Sequence, residues 1–193
     1  MRLILGSQSP RRREILSFFS LPFEQVSPSF DEDAIPFEGD PIAHSKYLSE
    51  GKAVSLKPFF TDAVILTADT IVYKEGALYG KPSNETEAFH ILSALNGSWH
   101  QVFTAVTATY QDRMVTDYDE TKVLFHAISP EQIHLYYKAF HGFDKAGGYG
   151  IQDGGHVIVK RMEGCFYNVM GLPINALQKV LRGVGIDLWN YLK

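Results

Sequence analysis

LILGSQSPRRREILSFF, residues 3 to 19, opens the chain and sets how the rest is read. Leu3, Ile4 and Leu5 are an apolar run that predicts a short strand, and Gly6 with Ser7 predicts the turn that leaves it. Ser9 followed by Pro10 is a helix start. The hydroxyl can accept from a free N–H of the first turn, and a proline there gives up an N–H that has no partner anyway. A helix is therefore expected from Pro10 to about Ser20. Its first turn carries Arg11, Arg12 and Arg13, although the N-terminal end of a helix favours negative side chains. Three arginines at that end call for an anion against them, and the hydroxyls of Ser7 and Ser9 would complete a phosphate cradle. The plainer alternative is a capped helix with solvated surface arginines.

Outward from this motif, the segment to residue 39 is a loop rich in proline and serine with an acidic knot, Asp31, Glu32 and Asp33. It is a solvated loop unless it folds back over a phosphate site, where it could hold a divalent ion. Asp40 and Pro41 start a helix to about Ser55. Leu48, Lys52 and Leu56, four apart, share one of its faces, so Lys52 points the way the leucines do. Gly51 weakens that helix and permits close packing. Residues 64 to 73, VILTADTIVY, predict a central strand covered on both faces. Asp69 lies inside it, and a carboxylate there is costly unless it is paired, hydrogen-bonded or bound to metal.

A short strand at 77 to 79 and the tripeptide GKP at 80 to 82, with Lys81, come next. A helix to about Leu95 is expected after Ser83 or Asn84, with Asn84 and Glu87 as a capping box. Residues 100 to 110 alternate as a half-buried strand, and 114 to 127 return as its partner, with Asp119 and Glu120 at mid-strand. His100 and His126 are expected to pack or face solvent. Ser129, Pro130 and Gln132 start another helix. The stretch GFDKAGGYGIQDGG, residues 142 to 155, has neither GxGxxG nor GxxxxGK(S/T) spacing. Its glycines, with Asp144, Lys145, Gln152 and Asp153, point to backbone brought close to a ligand. Residues 156 to 173 suggest a hairpin turning at Glu163 and Gly164, and a last helix is expected from Ile174 to about Arg182.

The order of strands, helices and hairpins predicts an α/β fold with a mixed rather than purely parallel sheet. With 193 residues, 45% of them hydrophobic, the chain can bury a substantial core, as one domain or two intimate lobes over 1–193. A formal charge of −4 gives no general basic field, which argues against a nucleic-acid-binding module. The single cysteine, Cys165, excludes an intramolecular disulfide and a cysteine-based zinc site. No apolar run of about 18 residues suggests a membrane span, and no signal-peptide pattern opens the chain, so a cytoplasmic protein is expected. Four separate segments offer cations, Arg12 or Arg13, Lys52, Lys81 and Lys145, and carboxylates accompany them at Glu32, Asp69 and Asp119 or Glu120. Cations for a polyphosphate with carboxylates for a metal ion and a water suit phosphoanhydride hydrolysis. Composition and spacing go no further than an α/β protein with a phosphate ligand.

GSQSPRRREIL (6–16), ADTIV (68–72), GKP (80–82), LNGSWHQVFTAV (95–106), DKAGGYGIQ (144–152) and NVMGLP (168–173) together resemble the ordered motifs of the Maf family of nucleotide pyrophosphatases. The resemblance implies a mixed sheet with flanking helices, two lobes around a deep cleft, and often a homodimer. It also implies hydrolysis of nucleoside triphosphates to the monophosphate and pyrophosphate with Mg²⁺ or Mn²⁺. By the same resemblance Ser7, Arg12 and Arg13 bind phosphate and Gln152 binds substrate. Lys52 and Lys81 neutralise charge, while Asp69 and Glu32 hold metal and activate water. The YGIQ form is similar to the branch acting on dTTP and UTP; the lysine and glutamate of the 7-methyl-GTP branch are missing. Departures from the family pattern are Tyr47 and His126, where arginine is common, and His141, Gly142 and Phe143, where Gly-Glu-Pro is usual. A rival reading is a catalytically silent nucleotide-binding regulator of cell division, which has less need of carboxylates beside an anionic ligand.

Overall fold

A computed structural model of the protein describes residues 2–140 and 142–193; His141 lies outside the described residues. The opening folds as β1 (Arg2–Gly6) and α1 (Pro10–Leu16), with the Ser9 hydroxyl accepting from the Arg12 N–H at 3.4 Å. α1 stops short of the expected Ser20. The Ser17 hydroxyl donates to the carbonyl of Arg13, and Phe19 leaves the helix to bridge Leu192 near the C-terminus. The remaining elements are β2 (Glu24–Val26), α2 (Pro41–Leu56), β3 (Ala63–Lys74), β4 (Ala77–Tyr79), α3 (Glu85–Leu95), β5 (Trp99–Tyr110) and β6 (Arg113–Phe125). They continue with α4 (Pro130–Phe140), α5 (Gly155–Ile158), β7 (Val159–Glu163), α6 (Phe166–Met170) and α7 (Ile174–Gly183).

One mixed sheet of seven strands runs β2-β1-β3-β5-β6-β7, with β4 added to β3. β1 is parallel to β2 and β3; the other pairings are antiparallel. Period-two alternation sorts the apolar residues between its faces. Leu3, Leu5, Val64 and Leu66 pack with Ile15, Leu16, Leu177 and Leu181 of α1 and α7. The intervening Ile4 and Ile65 pack instead with Ala53 and Leu56 of α2. At the far ends of the long strands Val72, Val102 and Val123 join α3 and α4 in a third cluster. Each fully buried Leu or Ile contributes about 1.5–3 kcal/mol of transfer free energy, so together the three clusters make a substantial core.

Three expectations are corrected. β5 is buried on both faces rather than half-buried, because the hydroxyls of Thr104, Thr107 and Thr109 all find partners inside. The chain after Gly164 forms α6, not a returning strand. Asn168, fully buried, donates to the Val102 carbonyl and the Thr121 hydroxyl, and Gly171 closes the helix in the left-handed region at φ 114°. Asn84 caps α3 as expected, but the Glu87 carboxylate reaches back to the N–H and hydroxyl of Ser83 rather than to Asn84.

Candidate active site

The cleft lies where one strand ends and its neighbour continues. β1 pairs with β3 only as far as Gly6 opposite Thr67, and β4 takes up the same edge from Val72. Between them residues 68–71 of β3 have no strand partner on that edge among the described residues. A cavity of about 460 Å³ occupies the gap, at the carboxyl end of a parallel strand, where open α/β sheets commonly receive ligands. Because it straddles a sheet edge, side chains from both faces of β3 reach it, Asp69 from one and Thr70 from the other.

On the α2 face, the Thr67 hydroxyl donates to the Ser49 carbonyl at 2.7 Å, and the Ser49 hydroxyl donates to Thr107 at 2.9 Å. These bonds fix α2 against the sheet and bring Lys52, one turn further along, to Asp69. Lys52 is 5% exposed; its Nζ lies 2.6 Å from Asp69 Oδ1 and 2.8 Å from Glu32 Oε2. The acidic loop does therefore fold back. The two carboxylate oxygens share one ammonium and stand no farther apart than the sum of those two contacts. Asp69 is itself 5% exposed, and its Oδ2 has no hydrogen-bond partner among the described residues.

On the other face Arg12 is held at three points. Its Nε donates to the Gly171 carbonyl at 2.8 Å, Nη1 to Ser7 Oγ at 3.2 Å and Nη2 to Thr70 Oγ1 at 3.0 Å. Burial lowers its pKa, and the negative charge of Asp69 pushes it back up. Thr70 lies 3.0 Å from the Thr104 hydroxyl, which donates to the Asn168 carbonyl, so the ADTIV and NVMGLP motifs meet behind the guanidinium. Arg11 spans the mouth to Asp144 at 2.9 Å. Lys145, 8% exposed, reaches Asp144 at 2.7 Å and Asp153 at 3.7 Å. Salt bridges to Arg11 and Lys145 hold the Asp144 carboxyl below its usual range, although its burial acts the other way.

Of the residues singled out in the sequence, Ser7, Arg12, Glu32, Lys52, Asp69, Lys81 and Gln152 all line this cavity. The side-chain oxygen of Gln152 is buried without a hydrogen-bond partner among the described residues, and Lys81 is exposed at the rim. Arg13 stands apart. It is exposed and lines a shallow depression with Ser17, Phe23 and Gln25, one helical step round α1 from Arg12. Asp119 and Glu120 lie on β6 and do not line the cavity; Glu120 accepts from Gln101 at 2.7 Å. His100 packs, as expected, 2.8 Å from the Tyr149 hydroxyl and edge-on to Phe125. Thr70 and Gly171 are site residues to which the sequence reading gives no role, and Arg11 and Asp144 enter it only as one of three arginines and as part of a run brought close to a ligand. Thr70 adjoins Asp69, and period two alone places it on the opposite face.

The lining carries five cations, Arg11, Arg12, Lys52, Lys81 and Lys145, against three carboxylates, Glu32, Asp69 and Asp144. That is a local excess of two positive charges in a chain of formal charge −4. No cluster of three or more His, Cys, Asp and Glu stands ready for a metal ion among the described residues. Two carboxylates on one ammonium, with a buried free oxygen on Asp69, nevertheless fit Mg²⁺, which takes one or two protein carboxylates and the rest of its ligands from phosphates and water.

Fold and site together define an α/β protein with an electropositive cleft at a sheet edge. The chain belongs to the Maf-like protein family, whose model matches residues 2–184. It is 43% identical over 192 residues to a dTTP/UTP pyrophosphatase of Chlamydia felis (strain Fe/C-56), covering 99% of this chain and 98% of that protein. It is 43% identical over 191 residues to a dTTP/UTP pyrophosphatase of Clostridium perfringens (strain SM101 / Type A), covering 97% and 100%. Among solved structures the Staphylococcus aureus Ham1 protein shares the fold, with a TM-score of 0.50 at 12% identity over 95% of this chain and 100% of that one. No helix among the described residues is long and apolar enough to cross a membrane.

Proposed function

We propose that the protein is a nucleoside triphosphate pyrophosphatase acting on dTTP and UTP, releasing the nucleoside monophosphate and pyrophosphate. The observation that carries the reading is Lys52 held between Asp69 and Glu32 inside a cleft with an excess of positive charge. A pure anion-binding site gains nothing from carboxylates beside its ligand, whereas hydrolysis needs a group that takes a proton from water. The family membership and the names of the relatives support the same reading.

In this reaction water attacks at the α–β anhydride, the bridging oxygen leaves with pyrophosphate, and the proton of the water must be removed. Asp69 Oδ2, buried and unpartnered, accepts that proton. Lys52 donates to Asp69 Oδ1 and orients it, leaving Oδ2 toward the cleft. Arg12, locked by three bonds, and Lys81 at the rim neutralise charge on the triphosphate as the bridge breaks. Glu32 and Asp69 would hold Mg²⁺ or Mn²⁺, which when bound supplies Lewis-acid neutralisation of the phosphates. Gln152 offers its free oxygen to the substrate. A homodimer and a cytoplasmic location belong to the same proposal and are tested by analytical ultracentrifugation and cell fractionation.

Pyrophosphate release is measured over dTTP, UTP, CTP, ATP, GTP and 7-methyl-GTP, with Mg²⁺ or Mn²⁺ and with chelator, beside Asp69→Asn. Turnover of dTTP and UTP that collapses in the variant and with chelator is the expected result. Turnover of purines alone would overturn the specificity, and binding without any turnover would favour the silent regulator.

A further inference from the structure

Glu32 sits on the loop between β2 and α2, and a loop does not fix a carboxylate by itself. The loop meets the body of the protein at its start, where Ser27 Oγ accepts from Gln8 at 2.8 Å, and then through Phe30, through Glu32 and through Phe37, whose ring is edge-on to His44 and Tyr73 at 5.4 and 6.2 Å. Phe30 is two residues before Glu32, and it lies against Gly51, the residue before Lys52. A Cβ on Gly51 would overlap Cε2 and Cζ of that ring and stand 3.1 Å from Cδ2. Gly51 is well inside α2, where glycine is disfavoured relative to alanine. The ring gives that glycine its reason.

We infer that Phe30 seated on Gly51 is the pin that sets Glu32 in the cleft, so that both are positioning residues for the proposed reaction. The contacts come in register. Residue 30 meets 51 and residue 32 meets 52, so the depth at which the ring settles on α2 sets the distance from the Glu32 carboxylate to Lys52 Nζ, 2.8 Å here. Glu32 is 40% exposed in its side chain and shares the buried Lys52 ammonium with Asp69, so this one contact leaves the flexible loop around it unfixed. The ring, not the charge, is the anchor. This inference rests on the pyrophosphatase reading for its kinetic readout alone.

The test compares the wild type with Gly51→Ala, Phe30→Ala and the double variant Phe30→Leu/Gly51→Ala. Gly51→Ala pushes the ring outward; kcat for dTTP is expected to fall about tenfold, the scale of a small misplacement of a reacting group, with KM nearly unchanged. Phe30→Ala has the same effect and carries the test should Gly51→Ala fold poorly. In the double variant the smaller leucine admits the new methyl, and kcat returns to within about threefold of wild type. Hydrogen exchange of the amides in residues 28–36 is expected to quicken in both single variants and to slow again in the double. Wild-type kcat and exchange in Gly51→Ala, or a double variant no faster than the single, would overturn the pin. Absence of turnover in the wild type would refute the pyrophosphatase reading only, and the exchange measurement would still decide the pin.

Discussion

Replacing Lys52 with methionine keeps the length of the side chain and removes one charge from the middle of the site. The two partners then fare differently. Glu32, with 40% of its side chain exposed, turns to water and loses at most about 1 kcal/mol. Asp69, with 7% exposed, is stranded as a buried carboxylate, and removing one member of a buried pair costs about 3–5 kcal/mol. Arg12 remains nearby on the cleft side, which favours the lower end, so a loss of about 3 kcal/mol is expected at pH 8. For a chain of this size that is a fall in Tm of about 6–12 °C. One feature separates this account from loss of packing: the deficit is largely repaired in Lys52→Met/Asp69→Asn, where no buried carboxylate is left unpaired. Urea unfolding at pH 8 reads all three proteins without reference to activity. A loss below about 1 kcal/mol at pH 8, the surface-pair scale, or a double variant that adds a second penalty would refute the reasoning.

Arg12→Lys retains the charge but cannot span Gly171, Ser7 and Thr70 at once; kcat/KM is expected to fall about 10²–10³-fold, measured by steady-state pyrophosphate release. Asn168→Ala takes the side-chain donor from the buried Val102 carbonyl and one of two donors from the Thr121 hydroxyl, which keeps the Cys165 N–H, and a destabilisation of about 1–3 kcal/mol is expected in urea melts. His100, 2% exposed, has its pKa pushed down to about 3 by burial. Its folded value lies below the unfolded value of about 6.5, so the stability of the neutral ring is complete above that pH and is lost as pH falls toward about 3. Over that window the wild type should lose about 1.4 kcal/mol per pH unit relative to His100→Gln, and parallel stability curves would count against it.

The sequence carried the elements whose signals are local. β1, α2, β3 and α7 are legible because apolar period and caps agree: Asp40 accepts from the N–H groups of Ile42 and Ala43, and Leu177, Val180 and Leu181 share one buried face. The misread segments are those where tertiary partners override a local pattern. FYNVM has the composition of a strand, but Asn168 is needed inside for two hydrogen bonds, and only the helix brings it there. The threonines of β5 resemble a polar face until their hydroxyls are seen to be satisfied in the interior. The site divides in the same way. Spacing put Lys52 on the inward face of α2, and the strand pattern put Asp69 in the core, but nothing in either segment announces that they meet at 2.6 Å. Nor does RRR say which arginine turns inward. That depends on Gly171, Ser7 and Thr70, which come from three separate parts of the chain.

The state of the cleft cations bears on how such a site would work. Arg11, Arg12, Lys52 and Lys145 are each already bonded to an acceptor of the protein, while Lys81 has no such partner among the described residues. Bonded cations attract an incoming polyphosphate less strongly than free ones, since part of their field is spent on their own carboxylates. They are, however, ordered in advance, so little side-chain entropy is lost when charge develops on the substrate, and the stabilisation falls on the transition state rather than on binding. Lys81 is the opposite case, exposed at the rim and free to follow the ligand. The same logic explains why a chain of net charge −4 can present a cationic cleft. The excess is only two charges, and it lies at the open edge of β3, where a ligand meets the positive groups at short range and need not be drawn in from a distance.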